Sequence, residues 1–224
     1  MSETPLPLVV LISGSGSNLQ AIIDRAQQDL PVEIRAVISN RADAYGLERA
    51  RRAGIPTEVV DHSRWPDREG FEEALMAAID RYQPGLVVLA GFMRILTPRF
   101  VQHYEGRMLN IHPSLLPRFQ GLHTHRRALE AAETEHGASV HFVTEELDGG
   151  PVVLQVPVPV LPDDTEEQLA ARVLEQEHRI YPQVIDWFAR GRLRLEGGRV
   201  MLDGRPLDRP CTLDAATGAI HCPD

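Results

Sequence analysis

The chain has 224 residues, a formal net charge of −9 and an ordinary composition, 43% hydrophobic and 25% charged, enough for one good core or two small ones. The acidic balance argues against a large nucleic-acid footprint, which normally needs a basic face, and no apolar stretch reaches the length of a membrane span. The start, MSETPLPLVVLIS, lacks the basic region and cleavage pattern of a secretory signal, so the expected compartment is the cytoplasm.

Taken in order, most of the chain alternates strand-like and helix-like segments. LVVLIS (8–13) is a continuous apolar run that reads as a strand. SNLQAIIDRAQ follows as a helix, with Ser17 and Gln20 in capping-box spacing. VEIRAVIS (32–39), TEVV (57–60), GLVVLAG (85–91) and RMLNI (107–111) are further strands. Helices over 46–53 and 67–82 separate them, and another starts at the paired signal Thr97-Pro98. This alternation of β and α, with near-continuous apolar strands, predicts an α/β fold: an open, mainly parallel twisted sheet with helices on both faces.

After a proline-punctuated loop, ASVHFV (138–143) and PVVLQVPV (151–158) read as strands joined by the turn EELDGG. A helix runs from Thr165 to about Arg190, opening on a second capping box, Thr165 and Gln168, and interrupted by Pro182. LRLEGGRVMLDGRP predicts a hairpin through Gly197-Gly198. The economical division is one domain over residues 1–205, in halves of about 1–106 and 107–205, followed by a flexible tail at 206–224. The two cysteines, Cys211 and Cys222, lie in that tail and form no C-x-x-C pair. They read as incidental thiols, with a tail disulfide as the lesser alternative.

Four features carry chemistry. SGSGSN (13–18) joins the first strand to the first helix, where glycines let a backbone pass close to an anion. Leu19 stands where a dinucleotide fingerprint has its third glycine, and no acidic residue ends the second strand. A single phosphate therefore fits better than a dinucleotide, and a plain tight turn fits as well. Asn110 and His112 share one face at the C-terminal end of a buried strand, the crevice side in open α/β sheets. Asp148 lies in the turn LDGGP, where ordinary turn chemistry also explains it. Glu177 falls on the apolar stripe of the last helix, with Leu169, Val173, Ile180, Val184 and Phe188. A carboxylate facing a core needs a partner, an arginine such as Arg172 or Arg179, or a substrate group. His123 and His125 could suggest a metal, but no third ligand stands at metal-site spacing. His141 sits inside a strand and reads as a core or near-site residue.

Read together, LISGSGSNLQAII, LAGFMRILTP, LNIHPSLLPRFQGLHTHRRAL, HGASVHFVTEELDGGPV and RVLEQEHRIYP resemble the folate-dependent formyltransferase family over about residues 8–205. NIHPSLLP followed by DGGP marks the family. SGSGSNLQ and QEH mark its branch that acts on glycinamide ribonucleotide in purine biosynthesis. The resemblance implies a Rossmann-like formyltransferase fold with a phosphate-binding N-terminal half and a catalytic and folate-binding C-terminal half. It implies 10-formyltetrahydrofolate as co-substrate, no metal, small-molecule substrates rather than nucleic acid or membrane, and a monomer or homodimer.

Site residues follow from the same resemblance. Gly16, Ser17 and Asn18 would hold the substrate phosphate and Glu177 its amine. The folate would lie against Met93, Arg94, Ile95, Leu96 and Asn110, with Arg68 near its glutamate tail. Thr144, Glu145, Glu146, Leu147 and Asp148 would form a loop over the pterin. Asn110, His112 and Asp148 would be the catalytic set. Acyl transfer to an amine passes through a tetrahedral oxyanion, which Asn110 would meet with an N–H. Removing one such donor typically costs about 10²–10³ in rate. His112 would act as general acid, and a carboxylate beside an imidazole favours its charged form, the part implied for Asp148. The competing readings are methionyl-tRNA formyltransferase, formyltetrahydrofolate deformylase and a silent nucleotide-binding module. The first adds a C-terminal domain and a tRNA surface, the second an N-terminal regulatory domain. Neither addition is expected in an acidic chain whose first strand opens near residue 8.

Overall fold

The apolar run Leu6–Ile12 forms the first strand, β1, in the computed structural model, which describes residues 4–224. The chain divides into two units, one ending at Asn110 and the other beginning at Ile111.

In the first unit, α1 (Ser17–Ala26), β2 (Val32–Ser39), α2 (Tyr45–Arg52) and β3 (Thr57–Val59) follow β1. Then come α3 (Arg68–Asp80), β4 (Leu86–Leu89), α4 (Pro98–His103) and β5 (Met108–His112), whose last two residues begin the second unit. The strands pair in parallel in the order β3-β2-β1-β4-β5, with Leu89 opposite Asn110 at the end of the β4–β5 register. Leu8 to Ile12 and Leu86 to Val88 are all fully buried, as strands covered on both faces require. Helices α1 and α2 pack on each other, and Tyr104 at the end of α4 donates to Asp80 of α3 at 2.8 Å; right-handed crossovers put two such pairs on opposite faces when the strand order reverses, as it does after β3. The strand order switches between β1 and β4, the place where ligands enter such sheets.

The caps expected at Thr97 and Thr165 form, and the one expected at Ser17 does not. Asp67 caps α3 through the Gly70 N–H at 2.7 Å, and Thr97 caps α4, with Pro98 as its first residue. At α1 the expected capping box of Ser17 and Gln20 does not form. Gly16, left-handed at φ 73°, is the N-cap, and Ser17 is already helical. The glycine turns the chain into the helix one residue early, so the Ser17 hydroxyl cannot close on it, and Gln20 donates to Asp24 instead.

The second unit carries α5 (Thr124–Glu130), β6 (Glu135–Phe142), β7 (Val152–Pro159) and α6 (Glu166–Ala189). Strands β6 and β7 are antiparallel, with a register shift between Val140 and His141. Helix α6 opens on the expected capping box: Thr165 accepts from the Gln168 N–H and Gln168 accepts from that of Thr165. Leu169, Val173, Ile180, Tyr181, Val184 and Ile185 are fully buried along it, and it runs through Pro182 without ending. Three short strands, β8 (Leu193–Glu196), β9 (Arg199–Leu202) and β10 (Arg205–Pro206), form a separate antiparallel sheet. Its first turn is Gly197-Gly198, both residues at positive φ, as a tight hairpin needs.

The tail read as flexible is folded. β11 (Cys211–Leu213) adds in parallel to the edge of β7, β12 (Ile220–His221) returns antiparallel to it, and Cys211 and Cys222 form a disulfide. Cys211 is fully buried and Leu213 nearly so, and Arg179 of α6 donates to the Ala215 carbonyl at 2.9 Å. A three-residue strand with one alternation is too short for periodicity to register. The cysteines are therefore a structural bridge rather than incidental thiols. Among the described residues no helix is long and apolar enough to cross a membrane.

Candidate active site

The glycine loop is braced by the start of α2. A Cβ on Gly16 would come within 2.6 Å of the Gly46 Cα, so the two backbones touch. The Gly46 N–H donates to the Gly14 carbonyl at 3.0 Å, and Arg49 Nε to the Ser15 carbonyl at 2.7 Å. These bonds hold the loop carbonyls back while Ser17 and Asn18 open α1, whose N-terminal N–H groups suit an anion. Beside the loop, Ser13 Oγ donates to Asn40 Oδ1 at 2.5 Å and accepts from the Met93 N–H at 2.8 Å. Asn40 in turn meets His62 Nδ1 at 3.1 Å. A cleft of about 390 Å³ opens there at the switch point, lined by Ser13, Gly14, Asn40, His62, Met93 and Arg94 among others.

The segment after β4 exposes apolar side chains, Met93 at 64% and Ile95 at 54%. Leu96 is half-buried, and the Arg94 guanidinium lies over the Phe71 ring at 5.7 Å. Its far end is tied by Glu72, a carboxylate only 2% exposed, which accepts from the Thr97 N–H at 2.9 Å and from the Thr97 hydroxyl. Arg68 is the exposed first residue of α3.

β5 ends with Asn110 half-buried and His112 buried, two residues apart and so on one face. His112 Nε2 lies 2.9 Å from the Phe119 carbonyl. A carbonyl only accepts, so Nε2 carries a proton. Nδ1 then faces Asp148 Oδ1 at 3.6 Å, both side chains 8% exposed. Asp148 reaches this position in the left-handed region, φ 51°, which aspartate tolerates better than most residues. Its other oxygen accepts from the Gly121 N–H at 2.9 Å, and its backbone carbonyl from Gln120. Thr144 is half-buried, Glu145, Glu146 and Leu147 are exposed, and Gly149 N–H closes the turn onto the Glu146 carbonyl. Gly150 must be glycine, since a Cβ would lie 1.8 Å from the Phe142 carbonyl oxygen.

Glu177 is 7% exposed on α6, where the stripe places it. Arg172 forms a two-pronged pair with Asp164, which holds that carboxyl down at about 2, and Arg179 binds Gln176 and Ala215.

Other histidines surround His112. His125 Nδ1 and His136 Nε2 are 3.1 Å apart, and the His136 ring meets Phe119 edge-on at 6.1 Å. Burial pushes His136 down to about 4, with further lowering from His125 and His112. Burial also lowers His125 and His141, so all three are neutral near pH 7. His123 is the left-handed N-cap of α5. The parts that sequence reasoning missed are backbone groups and their braces: the Phe119 carbonyl, the Gly121 N–H, Glu72, and the contact of Gly16 with Gly46. Of these only Gly46, at the start of a helix, carried a local signal.

The formyl transferase family matches residues 6–185. The chain is 60% identical over 201 residues to phosphoribosylglycinamide formyltransferase of Escherichia coli, covering 89% of this chain and 95% of the relative. It is 50% identical over 203 residues to the same enzyme of Haemophilus influenzae, covering 90% and 96%. A solved phosphoribosylglycinamide formyltransferase from Coxiella burnetii superposes with a TM-score of 0.89 at 58% identity, over 92% of this chain and 99% of that one.

Proposed function

Since this chain belongs to the phosphoribosylglycinamide formyltransferases, a branch of the formyl transferase family, we propose the following division of its reaction. The enzyme acts in purine biosynthesis and formylates glycinamide ribonucleotide, taking the formyl group from 10-formyltetrahydrofolate. The products are formylglycinamide ribonucleotide and tetrahydrofolate. The observation that carries the assignment of roles is the His112–Asp148 pair, a buried imidazole with a carboxylate at one nitrogen and a backbone acceptor at the other.

The neutral amine attacks the formyl carbon and its N–C bond forms. The carbonyl electrons move to oxygen, where the Asn110 amide N–H meets the oxyanion. The ring nitrogen His112 Nε2 keeps its proton on Phe119, so Nδ1 is the nitrogen that gains and gives up the transferable one. As the intermediate collapses, the bond to N10 breaks and N10 takes a proton from His112. The proton released by the amine returns to the His112–Asp148 pair through water. Asp148 balances the imidazolium while His112 carries that proton. No covalent bond to the protein is required, because the amine is itself the nucleophile.

Gly16, Ser17 and Asn18 hold the phosphate of the substrate, and Glu177 its amine. Met93, Arg94, Ile95, Leu96, Arg68 and residues 144–148 receive the folate. Exposed apolar side chains at Met93 and Ile95 are what a flat aromatic ligand would cover.

The test is steady-state turnover of 10-formyltetrahydrofolate with and without glycinamide ribonucleotide. Tetrahydrofolate release that depends on the amine supports the transferase. Equal release without it, with formate as product, would replace this reading with a hydrolase.

A further inference from the structure

The turn Phe119–Leu122 serves both members of the acid pair. The Phe119 carbonyl accepts from His112 Nε2 at 2.9 Å, and the Gly121 N–H donates to Asp148 Oδ2 at 2.9 Å. The turn is an unfavourable piece of backbone. Phe119, Gly121 and His123 all stand at positive φ, 53°, 85° and 56°. Such conformations persist in non-glycine residues only where the surroundings hold them.

One side chain does most of the holding. Arg127, half-buried in the first turns of α5, donates through Nη1 to the Gln120 carbonyl at 2.6 Å and to the Leu122 carbonyl at 3.1 Å. Its guanidinium also lies over the Phe119 ring, 5.4 Å from the centroid. The two bonds straddle Gly121 and the stacking fixes Phe119, so the groups that grip His112 and Asp148 are bracketed by contacts to one guanidinium. The arginines on either side in the loop and helix do something else: Arg118 pairs with Glu133 and Arg126 with Glu166 on the surface.

We propose that Arg127 is a positioning residue for formyl transfer, holding the Phe119–Leu122 turn so that it presents a carbonyl to His112 and an N–H to Asp148. This rests on the reading of His112 and Asp148 as the acid pair. A planar cation with several donors is what the position needs. A lysine ammonium has donors enough for both carbonyls but lacks the planar face that stacks on Phe119.

The experiment is a double-mutant cycle of Arg127→Met and Asp148→Asn, with Arg127→Lys as the conservative variant, read as kcat and KM for both substrates. Arg127→Met is expected to lower kcat about tenfold to a hundredfold, the scale of a small misplacement at the reacting centre, with both KM values within about twofold. Arg127→Lys should recover part of that loss. Since Arg127 works through the pair, Arg127→Met should cost little more once Asp148 is already Asn. Full, independent loss in the double variant overturns the proposal. So does unchanged kcat in Arg127→Met while Asp148→Asn is impaired. Unchanged kcat in Asp148→Asn overturns the underlying reading of the acid pair instead. If Arg127→Met fails to fold, the same cycle is run with Arg127→Lys, and the same non-additivity decides.

Discussion

The carboxylate of Asp148 faces His112 Nδ1 across 3.6 Å, and one short turn grips both from behind, through the Phe119 carbonyl and the Gly121 N–H. The pair is thus oriented before any substrate arrives. Asp148→Asn keeps the shape and an acceptor for Gly121 but removes the charge. It is expected to lower kcat by about 10² or more, the usual worth of a positioned acid, while leaving both KM values near those of the parent. Steady-state kinetics from pH 6 to 9 check this. Near-parental kcat across that range would remove Asp148 from the reaction.

Asn110 shares its strand face with His112 and sits opposite Leu89 at the end of the β4–β5 register. It is the fixed donor of the proposed mechanism. Asn110→Ala should reduce kcat about 10²–10³-fold with less effect on the melting temperature than a core truncation. A loss confined to folate KM would recast Asn110 as a binding group only.

Glu177 is a carboxylate at 7% exposure, set among the buried residues of α6. Glu177→Gln retains the volume and removes the charge. The expected outcome is a KM for glycinamide ribonucleotide raised at least about tenfold, roughly one charge-assisted hydrogen bond, with folate KM little changed. Equal increases for the two substrates would count against an amine contact.

His136 predicts an acid-sensitive fold. Its folded value, about 4, is depressed below the ordinary histidine value of about 6.5. The stability it contributes is therefore complete above pH 6.5 and is lost as pH falls through 4, an effect of roughly 2–3 kcal/mol. Burial lowers His125 and His141 as well, so they act in the same direction. Denaturant unfolding of the parent and of His136→Gln at pH 7.5 and pH 4.5 measures it. The variant should lose about 2 kcal/mol less than the parent between the two, and an identical loss would show that His136 is not the sensitive group.

The Cys211–Cys222 bridge spans 11 residues and secures a strand that pairs with β7. Closing so short a loop is worth about 2–3 kcal/mol. Cys222→Ser, at an exposed position, is expected to lower the melting temperature by several degrees and to abolish any further effect of dithiothreitol. A parent protein whose melting is indifferent to reductant would contradict the assignment.

What could be read from residues alone follows the length of the signal. The first unit was legible because its strands are largely apolar runs and one of its helices opens on the paired signal Thr97-Pro98. Glu177 was legible too, since seven turns of α6 define a stripe against which one carboxylate stands out. Asp148 was not. A residue in an Asp-Gly turn looks like turn chemistry; the family resemblance, and then the folded chain, bring it to His112. The β11–β12 tail and the Phe119–Leu122 turn were hidden for a related reason: both rely on bonds to the backbone, which side-chain patterns do not encode. Ser17 misled because it has the right neighbour for a capping box, while the glycine before it decides where the helix begins.

The contact of Gly16 with Gly46 joins two distant codons into one heritable allowance. With 2.6 Å between the Gly46 Cα and the place where a Gly16 side chain would begin, neither position has room that the other could give up. An alanine at Gly46 would also meet the end of the Ile12 side chain at 2.5 Å, so that side chain in the first strand would have to turn aside. Laboratory evolution of this enzyme towards other phosphorylated amines would accordingly find helix α2 as restrictive as the loop it supports. Diversity libraries there are best spent on residues other than these two.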